Sequence, residues 1–144
     1  IMTLEFSSQD LDVLNEQGKC VLIVEDDRDI RSALQTILEE EGYDVFVAQS
    51  GRAALELMPR IPKPSLILLD LMMPDMNGWE FCDELAKDDC YGSIPVVVVT
   101  AYADKAKLKE IRCTELIKKP IDLDVLLPKV KGHLLSSWFG SDRY

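Results

Sequence analysis

A chain of 144 residues, 47 % hydrophobic and 29 % charged, has the length for one domain with a sizeable core and leaves no room for a second. Its formal net charge of −10 argues against direct nucleic-acid binding, which needs clustered Lys and Arg, and suits a divalent cation or a basic partner. No apolar run approaches the roughly 18 residues of a membrane span, the first residues show no basic region followed by a hydrophobic one, and four cysteines without a CxxC pair accompany a single histidine, so the sequence predicts a soluble, cytoplasmic protein with reduced, mostly buried thiols, no zinc site and no disulfides.

Residues 1–18 are polar with scattered Leu and Val and read as an N-terminal extension carrying a short helix from Ser8 to Asn15. Cys20-Val21-Leu22-Ile23-Val24 is a buried-strand run that ends in Glu25-Asp26-Asp27, after which Ile30, Leu34, Ile37 and Leu38 recur at helical spacing. Gly42 stops that helix in the left-handed position. Tyr43 to Ala48 reads as the second strand, and Ser50 caps a helix with Ala53, Ala54, Leu57 and Met58 that Pro59 and Pro62 end. Leu66 to Leu69 is apolar at every position, the pattern of a strand buried on both faces of a parallel sheet, and it runs straight into Asp70. A turn through Pro74-Asp75-Met76-Asn77-Gly78 leads to a helix bearing Trp79, Cys82 and Leu85. Pro95 to Thr100 is the fourth strand, 104–111 a short polar helix, and Glu115 to Lys118 the fifth strand. The last helix, 121–135, starts at an Asp122 cap, aligns Leu123, Leu126, Leu127, Val130 and Leu134, and contains Pro128 beyond its first turn, where a kink is expected. Five strands alternating with five helices imply an α/β fold: one doubly wound, five-stranded parallel sheet of order 2-1-3-4-5, flavodoxin-like, with helices on both faces.

An acid after a strand is usually a turn cap, so Asp70 alone says little. Its company says more. Glu25 and Asp26 follow the first strand, Thr100 ends the fourth and Lys119-Pro120 follows the fifth, all on one edge of the sheet, beside the switch point between strands 1 and 3. Two carboxylates about 4 Å apart repel by roughly 4 kcal/mol at an effective dielectric near 20, so converging acids need a proton or a cation. Oxygen ligands without His or Cys select a hard, partly hydrated ion such as Mg²⁺. Lys119 offers a point charge and Thr100 a hydroxyl to phosphoryl oxygens. Charge-assisted hydrogen bonds contribute about 1.5 to 3 kcal/mol each, so two approach the roughly 5.5 kcal/mol that carries an equilibrium from 1:99 to 99:1. Lys119-Pro120 is also a candidate cis bond.

At this point the sequence resembles the receiver domain of two-component response regulators, over about residues 19 to 136. The resemblance rests on Val24-Glu25-Asp26-Asp27, on Leu69-Asp70-Leu71-Met72-Met73-Pro74-Asp75-Met76-Asn77-Gly78, on Thr100-Ala101 and on Lys119-Pro120, with 44 residues from Asp26 to Asp70 and 30 from Asp70 to Thr100. It implies a phosphoacceptor at Asp70 loaded from a phosphohistidine on a sensor histidine kinase or histidine phosphotransfer protein. It further implies Mg²⁺ held by Asp26, Asp70 and the backbone carbonyl of Met72 with Glu25 acting through water, and phosphoryl sensing by Thr100 and Lys119. Asp27 is a third loop acid, ranked below these as a helix cap. A downstream partner or output domain, a homodimer and no membrane contact complete the expectation, with 137–144 as a C-terminal tail.

Three features depart from the family pattern. Leu116 stands where a switch aromatic is common, three residues before the lysine. Arg112-Cys113 replaces a Gly-Ala pair and only 19 residues separate Thr100 from Lys119, which predicts a trimmed fourth helix. Met72 and Tyr102, two residues beyond Asp70 and Thr100, are bulky and are expected to obstruct water and lengthen the life of a phosphoaspartate. Among other classes, a haloacid-dehalogenase-type phosphohydrolase would need an Asp where Met72 stands, a flavodoxin would need a Ser/Thr/Gly-rich loop in place of the acidic one, and a pseudo-receiver would lack acids that are all present. Trp79 and Trp138-Phe139 read as packing aromatics, His133 as a surface or half-buried histidine, and Lys105, Lys107, Lys109 and Arg112 as a solvated helix face with docking of an acidic partner as the minor reading.

Overall fold

The computed structural model describes residues 19–101, 105–111 and 113–139, so the helix expected at Ser8–Asn15, Tyr102 and Arg112 lie outside the described residues. Strands β1 (Cys20–Val24), β2 (Asp44–Ala48), β3 (Leu66–Leu69), β4 (Val96–Thr100) and β5 (Glu115–Lys118) alternate with helices α1 (Arg28–Glu40), α2 (Gly51–Leu57), α3 (Gly78–Ala86), α4 (Lys105–Leu108) and α5 (Leu123–Phe139). A 3₁₀ turn, Met58–Arg60, extends α2 up to the prolines that end it. All pairings are parallel and the order is β2-β1-β3-β4-β5, as the alternation predicts. In register, Val24 lies beside both Ala48 and Leu69, which brings the loops after β1 and β3 to the same edge.

Helices α1, α2, α3 and α5 begin where their capping residues dictate. Asp27 accepts from the amides of Asp29 (2.9 Å) and Ile30 (3.1 Å), so this third loop acid is occupied as an N-cap. Ser50 Oγ accepts from the Ala53 amide at 3.0 Å. Asn77 and Glu80 form a reciprocal capping box at the start of α3. Asp122 Oδ1 accepts from the Asp124 amide at 2.9 Å, the cap expected for α5. At the other end of α1, Gly42 has φ +96°; its amide bonds Glu39 O and that of Tyr43 bonds Leu38 O, the paired bonds of a Schellman stop that a left-handed residue permits.

Alternation along the strands sorts the core into two layers. Leu22, Val24, Ile67, Leu69, Val96 and Val98 point to the side of α2 and α3, where Ala54, Met58, Phe81, Cys82 and Leu85 meet them. Val21, Ile23, Leu66, Leu68, Val97 and Val99 point to α1 and α5, against Leu34, Leu38, Leu126, Val130 and Leu134. β1, β3 and β4 are buried at every position, which is why their sequences read as unbroken apolar runs. Pro128 lies inside α5, which runs on to Phe139, four residues past the expected end. Of the cysteines, Cys20 and Cys82 are buried, Cys113 is half-buried and Cys90 is exposed, all as free thiols; burial therefore covers only half of them. α4 is a single turn, which fits the expected trimming.

Candidate functional site

The site forms because four strands, β1, β3, β4 and β5, end side by side. The Glu25 amide bonds Ala48 O at 3.1 Å and the Asp70 amide bonds Val24 O at 3.0 Å, so the sheet ladders extend one residue past β1 and β3 and fix both acids. Glu25 and Asp70 are buried, Asp26 is exposed, and one carboxylate oxygen of each lies within 4.8 Å of the others. Thr100 is wholly buried at the end of β4, and its carbonyl accepts from the Lys119 amide at 2.9 Å. The Lys119–Pro120 peptide is cis. Lys119 Nζ sits 2.8 Å from Glu25 Oε1 and 3.5 Å from Asp70 Oδ2. The five residues that the sequence places on one edge are thus together.

Electrostatics follow from that geometry. Carboxylates held within 4.8 Å repel by about 3 to 4 kcal/mol per pair at an effective dielectric near 20. Burial, then the neighbouring Asp70 carboxylate, push Glu25 up from 4.5 to about 7, against the opposing pull of Lys119. Burial works against the charge on Lys119, but its hydrogen bond to Glu25 and the fields of Asp70 and Glu25 outweigh it and leave the ammonium raised. One lysine cannot neutralise three acids. Two buried carboxylates, a third at the surface and no nitrogen or sulfur donor among them are a fit for a hard divalent cation.

Asp70 has two inequivalent oxygens. Oδ1 accepts from the Met72 amide at 3.3 Å and Oδ2 faces Lys119. Met72 is 55 % exposed, while Leu71 and Met73 turn into the core. Leu116 lies half-buried on β5 beside Val98, on the α4 side of the sheet. Sequence reasoning does not single out two further residues. Arg31 on α1 donates through Nη1 to the carbonyls of Glu25 (2.9 Å) and Asp26 (3.3 Å) and braces the acidic loop; an Arg one turn into a helix after an acidic loop is too common to signal this. Gly78 opens α3 directly against the residues that follow β3: a Cβ there would lie 2.8 Å from Leu71 Cα and 3.2 Å from Asp70 O. An Asn-Gly pair at a helix start is a signal that could have found it. The loop between them turns through Asp75, at φ 66°, a conformation Asp tolerates.

Away from the edge, Trp79 is half-buried against the core and its indole N–H donates to Lys107 O at 3.0 Å, a packing aromatic with one polar tie. His133 Nε2 is 2.7 Å from Glu115 Oε2, and Lys129 pairs with the same carboxylate, so this half-buried histidine belongs to a surface ion cluster. Lys107 and Lys109 are exposed.

Comparison with known proteins bears directly on this arrangement. The family model described as response regulator receiver domain matches residues 21–131. The polar-differentiation response regulator DivK of Brucella anthropi is 35 % identical over 119 residues, 81 % of this chain and 96 % of that protein. The transcriptional regulatory protein CrdR of Helicobacter pylori is 35 % identical over 116 residues, 78 % of this chain but 54 % of its own length, so the chain spans just over half of that regulator. Among solved structures, the chemotaxis protein CheY4 of Vibrio cholerae aligns with TM-score 0.74 at 28 % identity over 80 % of this chain and 98 % of its own. The response regulator TrrA of Thermotoga maritima, solved in complex with Mg²⁺ and BeF, aligns with TM-score 0.71 at 31 % identity, again over 80 % and 98 %.

Proposed function

The chain belongs to the response regulator receiver family and is a two-component signalling module, and on that premise we propose that Asp70 is its phosphoacceptor. The observation that carries this reading is the buried Asp70 carboxylate held between Glu25, Asp26 and Lys119. An Asp70 oxygen attacks the phosphorus of a phosphohistidine; the P–N bond breaks, its electron pair stays on the imidazole, and a phosphoaspartate forms. Asp26, Asp70 and the Met72 carbonyl would hold Mg²⁺, and Glu25 would act on it through water. When bound, the ion neutralises the clustered acids and the incoming phosphoryl group. Lys119 then exchanges Glu25 for a phosphoryl oxygen, and the Thr100 hydroxyl takes another. Met72 and Tyr102 slow hydrolysis by obstructing water. The haloacid-dehalogenase and flavodoxin alternatives are not favoured: a thioether stands where the first needs an acid, and acids stand where the second needs a phosphate loop.

We take residues 19–136 as the receiver domain, 1–18 as an extension and 137–144 as a tail, acting in the cytoplasm. The phosphodonor is a sensor histidine kinase or a histidine phosphotransfer protein. An apolar groove of about 620 Å³ opens beside Lys119 between Ile30, Leu34 and Ile37 of α1 and Pro120, Ile121 and Leu123, and it offers such a donor a seat next to Asp70. Incubation with acetyl phosphate, followed by intact mass, tests the reading. Wild type gains one phosphate with Mg²⁺ and none with EDTA, and Asp70→Asn gains none; an adduct that survives the substitution removes the core of this proposal.

A further inference from the structure

A second groove, of about 670 Å³, runs from the β3–α3 loop to α4 and the turn after it. Among its described lining residues Met72, Trp79 and Ile111 are apolar, and Glu80, Asp83 and Glu110 bring three carboxylates against the one ammonium of Lys107. We propose that this groove is the output surface of the domain and receives a basic segment of a downstream protein, anchored by apolar side chains and carrying Lys or Arg at its edges.

Charge complementarity selects that occupant. A segment with two or more positive charges meets an acidic rim, while a flexible thioether and a rigid indole provide the adaptable and fixed contacts that anchoring side chains use. Met72 is the most exposed of the large hydrophobic residues described, so the groove presents its apolar part to solvent. Position links it to Asp70. The Met72 amide donates to Asp70 Oδ1, and a phosphoryl group on Asp70 changes the acceptor that this amide sees, at the residue whose side chain forms one end of the groove. The opposite wall is held by the indole of Trp79, which donates across to the carbonyl of Lys107 and so ties the short α4 to α3. Leu116 is aliphatic and half-buried in the layer that holds Leu108 and Ile111, and the connection from Asp70 to this surface among the described residues runs through the β3–α3 loop. The regulation of the groove, but not its existence, rests on Asp70 being the phosphoacceptor.

The test uses the full ¹⁵N-labelled chain and two short synthetic peptides of alternating charged and Leu residues with one Trp, the first charged with Lys and the second with Glu, with and without Mg²⁺ and beryllofluoride. The Lys peptide is expected to shift the resonances of Met72, the Trp79 indole, Lys107 and Ile111, the Glu peptide to leave them in place, and beryllofluoride to change the affinity. Asp83→Lys with Glu110→Lys is expected to weaken the Lys peptide by at least about tenfold. Glu39→Lys with Glu40→Lys on the far α1, an equal change in net charge on exposed residues, is expected to alter it less than about twofold. Equal losses in the two double variants, shifts centred on the Ile30–Leu123 groove, or the same shifts on concentrating the chain alone would each overturn the proposal. An affinity blind to beryllofluoride overturns its regulatory half. Should acetyl phosphate fail to load Asp70 while the Lys peptide behaves as expected, the phosphoacceptor reading falls and the groove stands; should Asp70 load while the groove stays silent, the groove falls and the phosphoacceptor stands.

Discussion

Gly78→Ala separates two opposed effects at the loop between β3 and α3. At the first position of α3, replacing Gly by Ala lowers the entropy lost on folding and by itself stabilises by about 0.5 to 1 kcal/mol. The structure predicts the opposite sign. The added Cβ would lie 2.5 Å from Leu71 Cδ2 and 2.8 Å from Leu71 Cα, against the roughly 3.5 to 4.0 Å at which carbon atoms normally rest. The side-chain atom belongs to a fully buried leucine, and the Cα cannot rotate away, so the loop that carries Met72 must move by the better part of an ångström. Overpacking of this kind costs about 1 to 3 kcal/mol, and contact with backbone puts it at the upper end. The net loss is then about 2 kcal/mol. With a urea m-value of about 2 kcal/mol/M for a small domain, the unfolding midpoint drops by about 1 M. Because the Gly78 amide also bonds Leu71 O at 2.9 Å, the displaced loop should load phosphate more slowly as well. A midpoint equal to or above wild type would refute the close approach and the reasoning built on it.

Without Mg²⁺, Glu25 makes stability depend on pH. Its folded value of about 7 lies above 4.5, so the folded state binds the extra proton, and the stabilisation is complete below about 4.5 and lost as pH rises through about 7. The unfolding free energy from urea titrations in EDTA should fall by on the order of 2 kcal/mol between pH 5 and 7.5 for wild type and stay flat for Glu25→Gln; parallel curves would contradict the assignment. Asn77→Ala removes a reciprocal cap and should cost about 1 kcal/mol, seen as a thermal midpoint lower by about 3 to 5 °C; an unchanged melt would mean that the capping box contributes nothing. Met72→Asn with Tyr102→Glu should shorten the life of the phosphoaspartate, followed as loss of the adduct with time, and an unchanged rate would sink the idea that bulk there excludes water.

How much of the fold and the site is legible in the sequence depends on the kind of signal. Strands buried on both faces leave unbroken runs such as Val96-Val97-Val98-Val99, and short-range caps leave Asp27, Ser50, Asn77 and Asp122 at fixed offsets, so element order, sheet order and helix starts can be read from the chain. The acids, Thr100 and Lys119 are legible because parallel strands deliver their carboxyl ends to one edge. Contacts between distant segments are not. Trp79 reaches Lys107 across 28 residues, and no local pattern encodes it; Arg31 reaches only six and five residues back to the carbonyls of Glu25 and Asp26, but an Arg at that offset is too common to signal the contact. Gly78 is required by the nearness of Leu71 Cα, a tertiary fact, since its own conformation makes no demand that Ala could not meet. Sequence reading ends α5 too early because Ser136 and Ser137 look like a tail, whereas helix once nucleated propagates cheaply through such residues.

On the proposed reading, Asp70 itself becomes the acyl phosphate. Borohydride reduces an acyl phosphate to the alcohol, so treatment of the acetyl phosphate-loaded chain followed by peptide mass mapping should find homoserine at position 70 when Mg²⁺ is present and aspartate there when it is withheld. Homoserine at position 26 or 27 instead, or aspartate retained at 70 in the loaded chain, would contradict the account.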